Sequence, residues 1–332
     1  MGVIRFGGSV KTPETSIGAQ GLRLLRKDLI IRYLPLIVML IVMVYMALTV
    51  EHFMTERNLI NILRQASALA IMAVGMTAVL ITGGIDLSIP SNMAFGGILG
   101  AIYMRDGGDP VLASLIMIGT CSLVGAVNGF SVAGLRMIPF VVTLSMMYVM
   151  EGAALWVTEK VSVVGLHQGF IDFVWGRFLG IPNPVIMMAV VVAIAWVAFH
   201  KSYYGRWLYA VGINSRTARV SGIPTRKVTF GAYVFSGLCA GIAAIIITGR
   251  LMSASAVMGQ SGIVLDIVAS AVVGGVSIYG GSGSPLGAAL GAVLIAFISN
   301  SMNMMHIEYY TTLVIKGIVI ITVIAMDTLR KR

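Results

Sequence analysis

Long apolar runs, separated by short polar segments, dominate the chain from residue 34 to residue 326. The runs lack the strict alternation of half-buried strands and are too long for barrel strands, so they predict helices. Because a bilayer interior tolerates no unpaired backbone groups, runs of this length indicate membrane-spanning helices. Ten spans are predicted, at residues 34–50, 66–81, 89–104, 111–130, 140–157, 185–200, 228–249, 262–279, 286–300 and 311–326. The predicted fold is an all-α polytopic membrane protein with about ten transmembrane helices.

The overall composition agrees with a membrane-embedded chain. Hydrophobic residues make up 58% of the sequence and charged residues 11%, whereas about a quarter of the residues of a soluble domain are charged. No linker is long enough to separate two soluble domains. The predicted organisation is a basic cytoplasmic arm, residues 1–33, followed by one transmembrane domain, residues 34–332. Cys121 and Cys239 fall inside predicted spans, which favours small buried apolar residues over a disulfide.

The positive charge of the chain is concentrated in three places. The net charge is +10, and basic residues cluster in the N-terminal arm, at residues 330–332 and in the segment 200–227. That segment contains six Lys and Arg residues and no Asp or Glu. Short basic loops stay on the cytoplasmic side of a membrane, and ten spans place all three clusters on that side. We therefore predict cytoplasmic termini and exclude nucleic acid as a partner.

Two glycine-rich segments interrupt the apolar runs. The first, at residues 82–88, reads Thr-Gly-Gly-Ile-Asp-Leu-Ser, and the second lies between Gly274 and Pro285. Transporters use broken helices at membrane depth to line a solute pathway. Glycine and proline at this density also form tight turns. Both interpretations remain open for each segment.

Ionisable side chains inside predicted spans are costly in lipid and suggest function by default. Four are found, namely Asp86, Glu151, Asp266 and Lys316. For Asp266 and Lys316 we favour a structural ion pair over contact with solute. A proton-driven carrier needs a buried relay of carboxylates and histidines, so these few scattered groups argue for an external energy source.

Sequence motifs for catalysis are nearly absent. No Gly-x4-Gly-Lys-Ser/Thr motif occurs, so the chain is not expected to hydrolyse ATP itself. His167 and Asp172 have a spacing used for general-base catalysis in some acyl transfers. They lie in the segment 158–184, which the span count assigns to the outside, and an ordinary polar loop is the better interpretation. The histidines and cysteines show no metal-ligand spacing, so we expect this chain to bind no metal and no cofactor.

Several short motifs occur together and in order. They are Gly-Gly-Ile-Asp-Leu-Ser at 83–88, Asn-Gly at 128–129, Pro-Phe-Val-Val-Thr-Leu at 139–144, Tyr-Ala-Val-Gly-Ile-Asn at 209–214, Ala-Arg-Val-Ser-Gly-Ile at 218–223, and glycine pairs at 274–275 and 280–281. As a set they resemble the ribose-type permease subunits of ABC importers, from about residue 58 to the end. Three residues depart from the family pattern: Pro90, Ile213 in place of glycine, and Glu151 where arginine is frequent.

The resemblance implies a transport function and a set of partners. Two cytoplasmic ABC ATPase subunits would consume ATP with Mg²⁺, and a second permease subunit, identical or paralogous, would complete the pathway. An extracytoplasmic binding protein would deliver a sugar-like solute. The chain would lie in the inner membrane of a bacterium, surrounded by lipid. Two alternatives are an ATPase-independent secondary carrier or channel, and a membrane enzyme built on His167 and Asp172.

The resemblance and the glycine-rich breaks together indicate candidate site residues. The segment 200–227 looks like the ATPase-docking segment, with a short helix near residues 216–222 as its lever. The candidate docking residues are Gly205, Arg206, Gly212, Asn214, Arg216, Ala218, Arg219, Ser221 and Gly222. The candidate pathway and helix-break residues are Gly83, Gly84, Asp86, Ser88, Asn128, Thr143, Asp266, Gly274 and Gly275. Ser145, Trp156 and Trp175 also suit a sugar pathway, although anchoring at the membrane interface is the favoured interpretation for both tryptophans.

Overall fold

The computed structural model describes residues 44–50, 53–259, 261–308, 310–318 and 321, and this part of the chain is almost entirely helical. Its helices are α1 Glu56–Ile81, α2 Ile89–Arg105, α3 Pro110–Gly129, α4 Pro139–Thr158, α5 Gln168–Trp175, α6 Asn183–Lys201, α7 Tyr203–Ile213, α8 Ser215–Val220, α9 Thr225–Leu251, α10 Ser261–Val273 and α11 Pro285–Met304. A π-helical turn, Phe130–Gly134, extends α3, and a 3₁₀ turn covers Ala256–Gly259. A small antiparallel hairpin, β1 Arg177–Phe178 with β2 Ile181–Pro182, precedes α6.

Seven of the described helical segments are long and apolar enough to cross a membrane. They are Glu56–Ile81, Pro110–Gly134, Pro139–Thr158, Asn183–Lys201, Thr225–Leu251, Ala256–Val273 and Pro285–Met304. Each overlaps a predicted span, which confirms a helical polytopic membrane protein. A further predicted span, residues 89–104, corresponds to α2. The 17 residues of α2 extend only about 26 Å, somewhat less than the hydrocarbon core of a typical bilayer.

The first and last predicted spans lie partly outside the described residues. Within them, residues 44–49 and 310–318 are helical. The predicted basic arm, residues 1–33, and the basic cluster at residues 330–332 lie outside the described residues altogether. The count of ten spans and the side on which the termini lie therefore stay predictions.

Proline and capping residues determine where several helices begin. Proline occupies the first turn of α2, α3, α4, α6 and α11, where its missing N–H has no helical partner to lose. Asp109 caps α3, because its Oδ1 accepts from the N–H groups of Val111 and Leu112 at 2.9 and 3.0 Å. Pro90 is one of these first-turn prolines, so this departure from the family pattern is compatible with the start of α2.

α1 and α9 lie at the centre of the bundle, and α3 packs against α9 along one face, where glycines allow a close approach. A Cβ on Gly125 of α3 would collide with the Tyr233 carbonyl of α9, and one on Gly75 of α1 would lie 2.8 Å from the Cβ of Cys239. Small residues at such contacts are a common basis of helix association in membranes. Cys121 and Cys239 are buried free thiols, so the prediction that both are small buried residues is confirmed.

Candidate functional site

The segment 200–227, predicted as one polar connecting loop, is mostly helical. It contains α7 and α8 and continues into α9. Leu208 and Val211 of α7 are buried, because the apolar residues of this helix recur on one face. The prediction of a polar loop is therefore wrong for α7, whose apolar face was masked by the basic residues around it. We refer to α7 and α8, residues 203–220, as the α7–α8 unit.

α7 contacts the end of α1, just before the first glycine-rich segment, and it contacts the second glycine-rich segment directly. The Tyr209 hydroxyl donates to the Gly283 carbonyl oxygen at 2.8 Å. Gly212 packs against Ile81 at the end of α1 and against Gly281, where a Cβ would overlap backbone atoms of both. The Gly281 N–H also donates to the Ile81 carbonyl oxygen at 2.9 Å. A displacement of α7 would therefore also move the end of α1 and the connection between α10 and α11.

α8 is a short helix at the position predicted for the lever. Asn214 caps it, since its side-chain oxygen accepts from the N–H groups of Arg216 and Thr217, both at 3.0 Å. Ala218 faces inward and is buried. Gly222 follows the helix with a φ of 83°, a conformation that favours glycine and ends many helices.

An exposed and basic surface surrounds α8. Arg216, Arg219 and Ser221 are exposed, and Val220 is 91% exposed. A shallow open groove of about 280 Å³ lies between α8 and the turn that joins α3 to α4. Its lining includes Val132, Arg136, Ser215, Arg219, Thr225 and Arg226. The exposed side of the α7–α8 unit is thus concave and basic.

The first glycine-rich break holds a carboxylate inside the bundle. Asp86 is 2% exposed, and it accepts from the Ser88 N–H at 3.1 Å, the Ser88 hydroxyl at 2.6 Å and the Ser236 hydroxyl at 2.8 Å. The Ser88 hydroxyl oxygen accepts from the Asn128 side-chain amide at 2.8 Å. We call these four residues the Asp86 cluster. Ser236 is eleven residues into α9, which places the cluster about 16 Å along that helix from its start.

Two further hydroxyls fix the backbone beside Asp86. Thr143 and Tyr233 both donate to the Ile85 carbonyl oxygen, at 3.2 and 3.3 Å. Gly84 lies against the Tyr233 hydroxyl, where a Cβ would be 2.7 Å from the oxygen. The structure thus brings together the predicted site residues Gly84, Asp86, Ser88, Asn128 and Thr143. Asp86, Ser88, Asn128 and Thr143 are buried, so in this conformation the cluster fastens helices together.

Sequence reasoning missed the two α9 residues of this region. Tyr233 and Ser236 are three positions apart and therefore share one face of the helix. Ser236 is separated from Asp86 by 150 positions, and no local spacing indicates such a contact. Their polar groups in an otherwise apolar stretch are the one signal that points to a buried partner.

The glycines of the two breaks serve turns and close packing. Gly83, Gly275 and Gly280 have φ values of 81°, 85° and 89°, which glycine adopts without a steric cost. Gly274 lies against the backbone of Gly287 in α11, where a Cβ would collide. The turn interpretation accounts for these positions, and their role in a pathway stays a prediction.

Comparisons with known proteins agree with this geometry. Residues 58–324 match the family described as the branched-chain amino acid transport system / permease component. The chain is 36% identical over 295 residues to the ribose import permease of Bacillus subtilis (strain 168), covering 88% of this chain and 91% of that protein. It is 33% identical over 296 residues to the D-allose transport system permease of Escherichia coli (strain K12), covering 88% and 90%. It is 34% identical over 271 residues to the galactofuranose transporter permease of the same strain, covering 82% and 80%.

The chain belongs to this permease family. The resemblance indicated by the sequence motifs is thereby confirmed, and the chain is a permease of the sugar-importer type, not an enzyme. No solved structure gives a significant match.

Asp266 of α10 forms an ion pair with Lys316, away from the Asp86 cluster. The Lys316 Nζ is 2.8 Å from Asp266 Oδ2, and the two side chains are 12% and 21% exposed. The pair joins α10 to the helical residues 310–318, so the predicted structural pairing is confirmed. Neither residue contacts the Asp86 cluster, and a role of Asp266 in the pathway stays a prediction.

His167 and Asp172 each serve the local structure of the permease. His167 caps α5, because its Nδ1 accepts from the Gly169 N–H at 3.1 Å. Asp172 accepts from the Gln168 side-chain amide at 2.8 Å. This geometry gives the imidazole no orienting carboxylate from Asp172, and with the family assignment it overturns the enzyme alternative. The described residues contain no group of three His, Cys, Asp or Glu side chains placed to hold a metal.

The end of the bundle remote from α8 carries a wide basic groove. Its volume is about 1020 Å³, and its lining includes Arg57, Arg64, Trp175 and Arg177. The Trp175 indole donates to the Gly249 carbonyl oxygen at 3.2 Å, and the Arg64 guanidinium lies 5.0 Å from the centre of its ring. Trp175 is thus fixed by its own chain at the end of the bundle, as expected for an interfacial residue of the permease.

Proposed function

We propose that this chain is the membrane permease subunit of an ATP-driven, binding-protein-dependent importer of sugar-like solutes. The observation that carries the proposal is the α7–α8 unit. Its exposed helix α8 is joined to α7, which contacts the Ile81 carbonyl and the Gly281–Gly283 segment. An ATPase that changes shape on nucleotide binding needs a contact of this kind to act on membrane helices.

The proposed docking surface consists of α8 and the groove beside it. Of the candidate docking residues, Arg206, Asn214, Arg216, Arg219, Ser221 and Gly222 face outward. Gly205 and Ala218 are buried, and Gly212 packs on Gly281. These three support the fold of the α7–α8 unit instead of touching a partner. The exposed arginines favour an acidic patch on the ATPase.

Alternating access would follow from movement of this unit. Closure of the ATPase pair would push α8, and α7 would transmit the push to α1 through Gly212 and to the α10–α11 connection through Tyr209. The pathway would then open to one side of the membrane and close to the other. ATP and Mg²⁺ would be used in the two ATPase subunits, while this chain would bind no cofactor.

The remaining partners follow from the same proposal. A second permease subunit would complete the pathway, and an extracytoplasmic binding protein would deliver solute, with the basic groove around Arg57, Arg64 and Arg177 as its docking surface. The permease would cross the bacterial inner membrane ten times, with both termini in the cytoplasm. The relatives named above carry ribose, D-allose and galactofuranose, and we extend to this chain a neutral sugar of that size.

The experiment that tests the proposal is reconstitution of the purified complex in lipid vesicles. Uptake of radiolabelled D-ribose and D-allose is measured with ATP on the side of the vesicle membrane to which the ATPase is bound. A complex with a hydrolysis-deficient ATPase is the matched control. We expect uptake only with ATP, the active ATPase and the binding protein. Uptake that survives without the ATPase and follows a proton or sodium gradient contradicts the proposal and favours a secondary carrier. Uptake that only runs down the sugar gradient favours a channel.

A further inference from the structure

We propose that the exposed face of α4 lines the path of the solute, with Tyr148 and Glu151 in contact with it. The residues concerned are Ser145, Tyr148, Glu151, Gly152 and Trp156, which we call the α4 stripe. The inference rests on the proposed import of a sugar-like solute and names part of the surface that the solute meets.

The α4 stripe follows the repeat of a helix. Ser145, Tyr148, Gly152 and Trp156 are three or four positions apart, which places them along one face, and Glu151 follows Tyr148 by three positions. Tyr148 is 63% exposed and Trp156 is 83% exposed. The opposite face packs into the bundle and is buried through Val142, Thr143, Met147, Met150 and Ala154. α4 thus has one face that packs into the bundle and one that the described residues leave uncovered.

The exposed faces of two other rim helices have a different character. On α6 the exposed residues of the middle turns are Ala189, Val190, Ala193, Ile194 and Val197. On α3 they are Val111, Leu112, Leu115, Gly119, Leu123 and Val127. Such purely apolar faces suit contact with lipid tails. Among the long described helices, α4 alone exposes an ionisable side chain away from its ends.

Glu151 lies at a depth where a lipid-facing carboxylate is costly. α4 contains 20 residues, and seven of them follow Glu151, so its Cα is about 10 Å from the end of the helix. An acidic side chain well inside a lipid-facing helix costs up to roughly 3 kcal/mol. No ion pair to Glu151 is formed by any described residue. Water or a polar solute on this face removes that cost, whereas lipid does not.

The chemistry of the α4 stripe fits a neutral polyhydroxy solute. The Glu151 carboxylate accepts hydrogen bonds from hydroxyl pairs, and the hydroxyls of Ser145 and Tyr148 both donate and accept. The flat faces of Tyr148 and Trp156 suit the C–H side of a sugar ring. A Cβ built on Gly152 meets no atom within 4 Å, so the helix surface is open beside Glu151.

In this arrangement the second permease subunit supplies the opposite wall. A polar stripe on each of two subunits encloses a wet passage, while the apolar faces of α3 and α6 remain toward lipid. The passage then lies at the junction of the two chains and not inside the closely packed centre of either.

The test is the access of a charged methanethiosulfonate reagent to single cysteines in the complete transporter in intact membranes. Ser145→Cys, Tyr148→Cys and Gly152→Cys probe the α4 stripe, and Val190→Cys and Ile194→Cys on α6 are the matched controls. The native thiols are buried and give the background. Since the reagent attacks the thiolate, which forms in water and not in lipid, we expect labelling of α4 to be at least about tenfold faster.

Each labelling outcome decides the inference. Fast labelling of the α4 positions with slow labelling of the α6 positions supports it. Slow labelling of both helices overturns it, because the α4 stripe then faces lipid or a protein surface from which water is excluded. Equal and fast labelling of both also overturns it, because α4 is then not distinguished from a rim helix. The readout needs no ATP and no known solute, so it stands even if the proposed import fails.

A blocking variant tests the solute path itself. Gly152→Trp should abolish uptake of radiolabelled D-ribose and D-allose, whereas Ala193→Trp, at an exposed position of α6, should leave uptake unchanged. Normal uptake by the Gly152→Trp variant overturns the inference. Absence of uptake by the unmodified transporter marks failure of the proposed function instead, and the labelling pattern then decides the inference alone.

Discussion

Asp86 is held by neutral donors alone. Its three hydrogen bonds come from the N–H and hydroxyl of Ser88 and from the hydroxyl of Ser236. No described basic side chain forms an ion pair with it. At the scale of the residue, this carboxylate acts as the acceptor that three buried donors require, because buried polar groups without a partner are costly.

Replacement of Asp86 by leucine should abolish uptake and lower the melting temperature of the purified permease. The substitution leaves the donors of Ser88 and Ser236 unpaired, at about 1–3 kcal/mol for each buried group. Ser236→Ala is the milder control, since it removes one donor and one bond at about 1 kcal/mol. The melting temperature is followed by size-exclusion fluorescence in detergent. A wild-type melting temperature in Asp86→Leu would show that the Asp86 cluster does not stabilise the contacts between the helices.

The ion pair of Lys316 and Asp266 should be more harmful to break than to replace. Lys316→Met leaves a largely buried carboxylate without its cation, at roughly 3–5 kcal/mol, whereas Lys316→Met with Asp266→Leu removes both charges at far lower cost. The same melting assay compares the two variants with the wild type. A double variant less stable than Lys316→Met would contradict this account.

At the scale of the element, the α7–α8 unit is a link with two distinct ends. Gly212 sets how closely α7 approaches Ile81 and Gly281, and Gly222 sets how α8 ends. The first position governs transmission into the membrane helices, and the second governs the surface offered to the ATPase. Substitutions at the two positions should therefore fail in different ways.

Gly212→Ala should uncouple ATP hydrolysis from uptake. The added methyl group would overlap the Ile81 carbonyl and push α7 away from α1, while α8 keeps its exposed surface. Gly119→Ala on α3 is the matched control, because a Cβ there meets no atom within 4 Å. Uptake and ATPase rates are measured on the same vesicles. Full coupling in Gly212→Ala would remove α7 from the mechanism.

Gly222→Trp should prevent the ATPase from docking. The bulky side chain occupies the surface at the end of α8, and the left-handed backbone adds a strain of about 1–2 kcal/mol. Gly222→Ala carries the same strain without the bulk and should retain most binding. Co-purification of the ATPase from detergent-solubilised membranes is the measurement. Normal recovery of the ATPase with Gly222→Trp would locate the docking surface elsewhere.

The sequence predicted the position of the short helix α8 but did not predict that α7 is a helix with a buried face. The basic residues and short motifs of the segment 200–227 indicated a docking segment and a lever near residues 216–222. The burial of Leu208 and the contact of Tyr209 with Gly283 depend on which distant segments meet, and the sequence alone does not contain that information. The same limit explains why Asp86, Asn128 and Thr143 were named separately, and why Ser236 was missed.

At the scale of the whole molecule, the hydrophobic pattern was the most reliable guide. It overlapped each of the seven described spans, because membrane helices require continuous apolar runs. Two spans were misplaced: Glu56–Ile81 begins ten residues before the predicted start at 66, and Ala256–Val273 lies six residues before the predicted 262–279. It said less about packing, since the tight glycine contacts of α1, α3 and α9 obey no simple period. The direction of the spans still depends on the count of ten and on the distribution of basic residues.

Cysteine labelling of intact cells should establish that direction. Asp172→Cys, in the segment assigned to the outside, should react with a membrane-impermeant maleimide added to whole cells. Lys201→Cys, at the end of α6, should react only after the membrane is permeabilised. Both positions are exposed, so access differs only by side. The reverse pattern would invert the predicted topology.

The Asp86 cluster and the glycine contacts around it limit how this permease moves. Short hydrogen bonds join the α1–α2 turn, α3 and α9. The close contact of Gly125 with the Tyr233 carbonyl leaves no space for α3 to shift along α9. We therefore expect these elements to move as one rigid body in the proposed transport cycle, since tightly packed interiors transmit strain. The hinges must lie at its edge, in the connections of α4, α6 and the α10–α11 pair. The α4 stripe, which lines the proposed solute path, then belongs to the part of the permease that moves against this rigid body.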